Sequence, residues 1–197
     1  MQKSKPLAHA ILAFLNFSPM TGYDLKKYFE QSVAHFWSVT QSHIYKTLDS
    51  LEKDGYVESS IIQQVGKPNR KEYSISDAGR QKLQRWLITP LPLPPTREAW
   101  LIQLFFAYAN SNQEIVELLQ ARKEAIDARI QTYRQDAQAA IDTNARSIGN
   151  ARIHELWQVT LDYGISYYEF ERAWLEKTIE RIKDLPPMTE QITANHE

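Results

Sequence analysis

Gln41, Ser42, His43, Tyr45 and Lys46 bring an amide, a hydroxyl, an imidazole, a phenol and an ammonium group together within one short run. Such groups can hydrogen-bond to base edges or phosphates in a DNA groove, and Lys46 adds positive charge. A second set follows in Lys67, Asn69, Arg70 and Lys71, three cations and an amide suited to a phosphate backbone. Catalysis is not suggested by either set. The five histidines (His9, His35, His43, His154 and His196) are scattered, and no Gly-rich phosphate loop, helical histidine pair or nucleophile elbow occurs. With no cysteine, disulfides, thiolate metal sites and cysteine nucleophiles are excluded. A non-enzymatic protein without cofactor or metal is expected.

The elements that must position these groups can be read from spacing. Thr40 or Ser42 can cap a helix that Gly55 ends. Ile44, Leu48 and Leu51 face inward at helical spacing, so Ser42, Lys46, Asp49 and Lys53 point outward, with His43 and Tyr45 on the flanks. Tyr56 to Val65 reads as a strand, Gly66-Lys67-Pro68-Asn69 as a turn, and Arg70 to Ile75 as a returning strand. Ser76-Asp77 then caps a helix to Trp86. A solvated helix and a charged hairpin would carry the same residue types. The hairpin's position directly after a helix with a groove-type face favours a winged helix-turn-helix, with Lys67, Arg70 and Lys71 at the tip of the wing.

At these residues the chain resembles the PadR family of transcriptional regulators. The resemblance is carried by Gly22-Tyr23-Asp24-Leu25, Phe36-Trp37-Ser38, Ile44-Tyr45 with Leu48 and Leu51, Asp54-Gly55-Tyr56-Val57, Gly66-Lys67-Pro68, Lys71 to Gly79, and Trp86-Leu87. Their order and spacing make the signal specific. The helical remainder is similar to the larger members, which carry a C-terminal helical domain. The resemblance implies a repressor, often one released by a small molecule, with phenolic acids as the best-known inducers. His43 and Lys46 sit where the family varies, so no operator sequence follows.

The remaining segments fit that frame. Residues 1–89 hold 12 Lys/Arg and 8 Asp/Glu, against 11 and 16 in residues 90–197, which suits a division in which only the first part meets nucleic acid. Leu7 to Phe17 reads as an apolar helix, and Thr21 as the cap of a second helix to about Val33 with Leu25, Tyr28, Phe29 and Val33 inward. Trp37 is expected in the core or at an inter-domain contact. Four prolines in Thr89 to Pro95 cannot continue a helix and favour a stiff, extended path. The expected domains are therefore 1–89 (winged helix-turn-helix), 90–95 (linker), 96–185 (helical dimerisation and effector domain) and 186–197 (disordered tail). The fold class is mainly α with a small β-hairpin wing. No apolar run is long enough to span a membrane and no signal-peptide pattern begins the chain, so a cytoplasmic protein is expected.

Within the second domain, Thr96 to Asn110 reads as a short apolar helix, and Ser111 or Asn112 starts a long one. Leu119, Ile126, Tyr133 and Ala140 fall seven apart, a coiled-coil-like seam. After a Gly149-Asn150 turn, a last helix runs from about Ala151 to Asp184. Its Leu156, Tyr163, Tyr167, Phe170 and Trp174 fall on one side, and Trp157, Leu161, Ile165, Tyr168, Leu175 and Ile179 nearly opposite. A helix with two apolar stripes must bury both, and a second copy of the chain is the economical partner. A two-fold homodimer on Leu119, Ile126, Trp157, Leu161, Tyr168 and Leu175 is expected, reading a pseudo-palindrome in double-stranded DNA with half-sites roughly 10 bp or a multiple apart. Trp37, Trp100, Tyr163 and Tyr167, with His35 or His154 to pair with a carboxylate, are candidates for a small aromatic ligand. An activator without ligand and a winged helix used for protein contacts remain open as alternatives.

Overall fold

The computed structural model describes residues 6–33, 36–63, 69–95 and 97–186. The chain divides into two compact units, 1–92 and 93–197, and the division falls inside the proline-rich stretch.

The first unit contains α1 (Pro6–Phe17), β1 (Met20–Thr21), α2 (Gly22–Gln31), α3 (Gln41–Lys53), β2 (Val57–Ile62), β3 (Arg70–Ile75) and α4 (Asp77–Leu87). Its core is filled by Ile11, Leu12 and Leu15 of α1, Leu25 and Phe29 of α2, and Ile44, Leu48 and Leu51 of α3, with Val57, Tyr73, Ile75 and Leu83 behind them. Tyr28 lies outside this core, exposed, and Val33 only packs against its edge. Gly55, at φ +75°, closes α3 in the left-handed conformation expected of it. β2 and β3 pair antiparallel, with Val57 opposite Ile75 and Ile62 opposite Arg70. The second strand of the expected hairpin is joined on its other side by β1, which pairs Met20 with Tyr73 and gives a three-stranded sheet in the order β1-β3-β2. Two residues are too short a run for an alternating pattern to reveal, so only the hairpin was legible. The first strand is also shorter than expected, ending at Ile62. The proposed turn at Gly66-Lys67-Pro68, like Lys67 itself, lies outside the described residues.

In the second unit, α5 (Ala99–Phe105) and a 3-10 turn (Ala107–Ala109) replace the single helix expected over Thr96 to Asn110, and Thr96 lies outside the described residues. Then come α6 (Asn112–Thr132), a π-helical turn (Tyr133–Ala137), α7 (Gln138–Ile148) and α8 (Ala151–Lys183). Ser111 caps α6 reciprocally with Glu114, and Asn150 caps α8. The seam Leu119, Ile126, Tyr133 does not continue at Ala140. It continues at Ile141, because the π turn inserts one residue and rotates the inward position by one place. The ring of Tyr133 sits against Gly164 of α8, where an added Cβ would stand 2.9 Å from it. The tail beyond Pro186 lies outside the described residues.

Candidate nucleic-acid interface

α3 starts where Thr40 Oγ accepts a hydrogen bond from the His43 N–H at 3.4 Å, so Thr40 rather than Ser42 is the cap. Its apolar face is committed to the core, which turns Gln41, Ser42, His43, Tyr45 and Lys46 outward, and all five are exposed. Tyr45 is not loose: it is 39% exposed and its ring lies over Gly22 at the start of α2. The start of α2 is itself tightly built. Thr21 Oγ accepts from the Asp24 N–H at 3.1 Å, and the Asp24 carboxylate accepts from the Thr21 N–H at 3.1 Å.

The wing cations are tied back to the helices. Arg70 donates to the same Asp24 carboxylate oxygen at 3.2 Å, and Lys71 donates to Glu52 at 2.8 Å while lying 5.0 Å from the centre of the Tyr73 ring. Ser59 of β2 also donates to Glu52. Burial pushes the Asp24 carboxyl up, but the hydrogen bonds from Thr21 and the charges of Arg70 and Lys27 outweigh it and hold the group below the usual carboxylate value. The hydrogen bonds from Lys71 and then Ser59 hold Glu52 down, and the bond to Glu52 in turn raises the Lys71 ammonium. Spacing alone had placed Arg70 and Lys71 as free cations; in the fold each has a carboxylate partner, 46 and 19 residues away in sequence, which no local pattern reveals. Asn69 is exposed beside them.

The "Negative transcriptional regulator PadR" of Bacillus subtilis (strain 168) is 31% identical over 125 residues, 63% of this chain and 69% of that one. The profile of the transcriptional regulator PadR-like family matches residues 11–85. The chain belongs to the PadR-like family of transcriptional regulators. A second profile, virulence activator alpha C-term, matches residues 96–183. The Mycobacterium tuberculosis (strain ATCC 25618 / H37Rv) protein named "Probable transcriptional regulator Rv1176c" is 28% identical, over 90% of this chain and 98% of its own. Bacillus subtilis PadR in complex with operator DNA superposes with a TM-score of 0.76 at 26% identity, covering 90% of this chain and 99% of that one. The same protein in complex with p-coumaric acid has the same fold, with a TM-score of 0.73 at 23% identity and coverage of 90% and 99%.

The second unit of this PadR-family chain distributes its predicted residues unevenly. Leu119, Ile126, Leu161 and Leu175 are buried inside the unit's own core, with Leu161 and Leu175 at 0% exposure; Trp157 and Tyr168 are half-buried against it. These side chains are spent on packing α8 against α6 and α7, so they are not the residues left over for a partner. The stripe left over is the opposite one: Leu156, Tyr163, Tyr167, Phe170 and Trp174 are exposed, Tyr163 at 74% and Phe170 at 72%.

Of the candidate ligand residues, Trp37 belongs to the first unit and is exposed at 40%, so it is not a core residue. His35 lies outside the described residues. Trp100 stands edge-on to Trp174 with ring centres 5.6 Å apart, and the Arg122 guanidinium lies over it at 4.1 Å. Arg122 Nε donates to Glu171 at 2.6 Å, and Glu171 is buried with its Oε2 atom unpartnered among the described residues. Burial raises the Tyr167 phenol, helped by the carboxylates of Glu98 and Glu171. Tyr163 stands apart from this cluster, and His154 is taken up by Asp142 at 3.3 Å beside an open groove of about 570 Å³ at the α7–α8 turn. The Arg122–Glu171 pair was invisible in the sequence, since its partners are 49 residues apart.

No described helix is long and apolar enough to cross a membrane, and the described residues contain no group of His, Cys, Asp and Glu side chains that could hold a metal ion.

Proposed function

We propose that this chain is a cytoplasmic, homodimeric repressor that reads a pseudo-palindromic operator with the exposed face of α3. The observation that carries the reading is that α3 spends its apolar residues on the core and presents an amide, a hydroxyl, an imidazole, a phenol and an ammonium group outward in one run. The relative from Bacillus subtilis, a negative regulator by name and solved with operator DNA, supports it. Ser42, His43, Tyr45 and Lys46, with Gln41, supply register and readout. Lys67, Asn69, Arg70 and Lys71 supply attraction to the backbone, Arg70 and Lys71 by exchanging their carboxylates for phosphates. Selection of bound DNA from a random pool tests this: a two-fold motif is expected, and Lys46→Ala should weaken the selected duplex more than a scrambled one. A pool without enrichment would sink the proposal.

The uncovered stripe of α8 supports the dimer, since a contiguous apolar face of this kind marks an interaction surface. A dimer brings two α3 helices to one duplex and multiplies a weak single contact. The p-coumaric acid complex of the Bacillus subtilis relative supports a small aromatic effector, for which Trp100 and Tyr167, near the cationic Arg122, are the residues to test. Phenolic acids should raise the melting temperature if they bind the native state alone. The match to a virulence activator profile favours one second reading, that the same DNA contacts serve activation. Transcription from a reporter carrying the selected motif separates the two.

A further inference from the structure

We propose that Gly22 is a positioning residue for DNA recognition: its missing side chain is the seat that holds Tyr45 of α3 in place on the reading surface. The inference rests on the reading of α3 as the DNA-reading helix.

Gly22 is the first residue of α2 and is buried. Among the described residues only Gly55 and Gly149 have positive φ, so Gly22 is not there for its backbone conformation. A glycine in a helix is otherwise a poor choice, since alanine is the better helix former. The reason is space. A Cβ on Gly22 would stand 2.5 Å from Tyr45 Cε1, 2.7 Å from Cζ and 3.0 Å from the phenol oxygen, all inside van der Waals contact. The phenol end of Tyr45 therefore rests on the first turn of α2. That turn is held from two further sides, by the reciprocal Thr21–Asp24 cap and by Arg70 of β3 on Asp24. Wing, α2 and reading helix thus meet in one small assembly whose outermost member is an exposed tyrosine. Pre-placing that ring removes the entropy loss of ordering it when DNA arrives. Because the clash falls on the far end of a partly exposed side chain, a methyl group at position 22 would be relieved by Tyr45 swinging away. The fold would persist while the reading surface lost a fixed point.

The test uses the full chain, a duplex selected by it from a random pool, and a scrambled duplex. Gly22→Ala is expected to weaken the selected duplex about tenfold, the order of one immobilised interface side chain with part of its contact. Its binding to the scrambled duplex and its melting temperature should stay within the error of the parent. In a Tyr45→Ala background, Gly22→Ala should cost nothing more, since the two act as a unit. Equal affinity of parent and Gly22→Ala for the selected duplex would overturn the proposal, as would an equal further loss in the Tyr45→Ala background. Should Gly22→Ala fail to fold, Tyr45→Ala alone decides: parent-like affinity overturns the proposal and a loss of about tenfold supports it. A parent that selects no duplex at all overturns the DNA reading itself.

Discussion

Arg70 of β3 and Asp24 of α2 meet at 3.2 Å, and through that pair the wing is fastened to the cap of the helix that precedes the reading helix. Both side chains are partly exposed, so the pair itself stabilises the first unit by less than about 1 kcal/mol. Its larger effect is geometric, since it sets the position of the wing base. Arg70→Ala should leave the melting temperature nearly unchanged. It should weaken binding to all duplexes and lower the slope of log K against log salt by about one unit. A titration of parent and variant between low and moderate salt reads this directly.

Asp24 should also set part of the acid sensitivity of the first unit. Its folded pKa lies below the model value of 3.8, so the unfolded chain binds the proton more readily. The stability this contributes is present above about pH 4 and is lost as pH falls through the folded value. Asp24→Asn should therefore flatten the acid limb of a stability-versus-pH curve followed by circular dichroism.

Gly79→Ala should be among the most damaging conservative changes in the first unit. An added Cβ there would run into the carbonyl oxygen of Tyr56 and stand 2.9 Å from Ile75 Cγ1. Backbone cannot swing aside as the Tyr45 ring can, so a loss of about 1–3 kcal/mol is expected from overpacking. A thermal melt should show a drop of several degrees.

In the second unit, Phe170→Glu should abolish self-association while leaving each subunit folded, because Phe170 is exposed in the single chain. Leu161→Ala should do the reverse and destabilise the unit by about 2–5 kcal/mol through the cavity it leaves. Sedimentation velocity and denaturant titration on the two variants separate interface from core.

Arg122→Ala should cost about 3 kcal/mol, because it strands the carboxylate of Glu171 in a nearly closed site. Arg122→Lys should recover little of this, since lysine cannot lie flat on Trp100 and bond Glu171 through Nε at once.

What the sequence made legible was local. The caps at Thr21 and Ser76, the apolar repeat Ile44-Leu48-Leu51 and the glycine at position 55 each announce an element through chemistry that acts within one turn. The outward face of α3 follows from the same repeat. The parts that stayed hidden depend on residues far apart in the chain. Strand β1 exists only because β3 offers it a ladder, and the carboxylates on Arg70 and Lys71 come from other elements. Assigning Leu119, Ile126, Leu161 and Leu175 to a partner subunit failed because two stripes of similar residues on one helix look alike until the α6–α8 packing selects between them.

The odd residue in the turn from Tyr133 to Ala137 makes α6 and α7 one rod in two phases. Each added residue rotates a helix by about 100°, so the rim that the far half shows to its surroundings is dictated by a single unit of length. Excising one residue there should bring both halves back into step, swing Ile141 toward water and draw Ala140 into its place. The far end of the hairpin would then meet any neighbour with a different set of side chains, although none of those side chains had been altered.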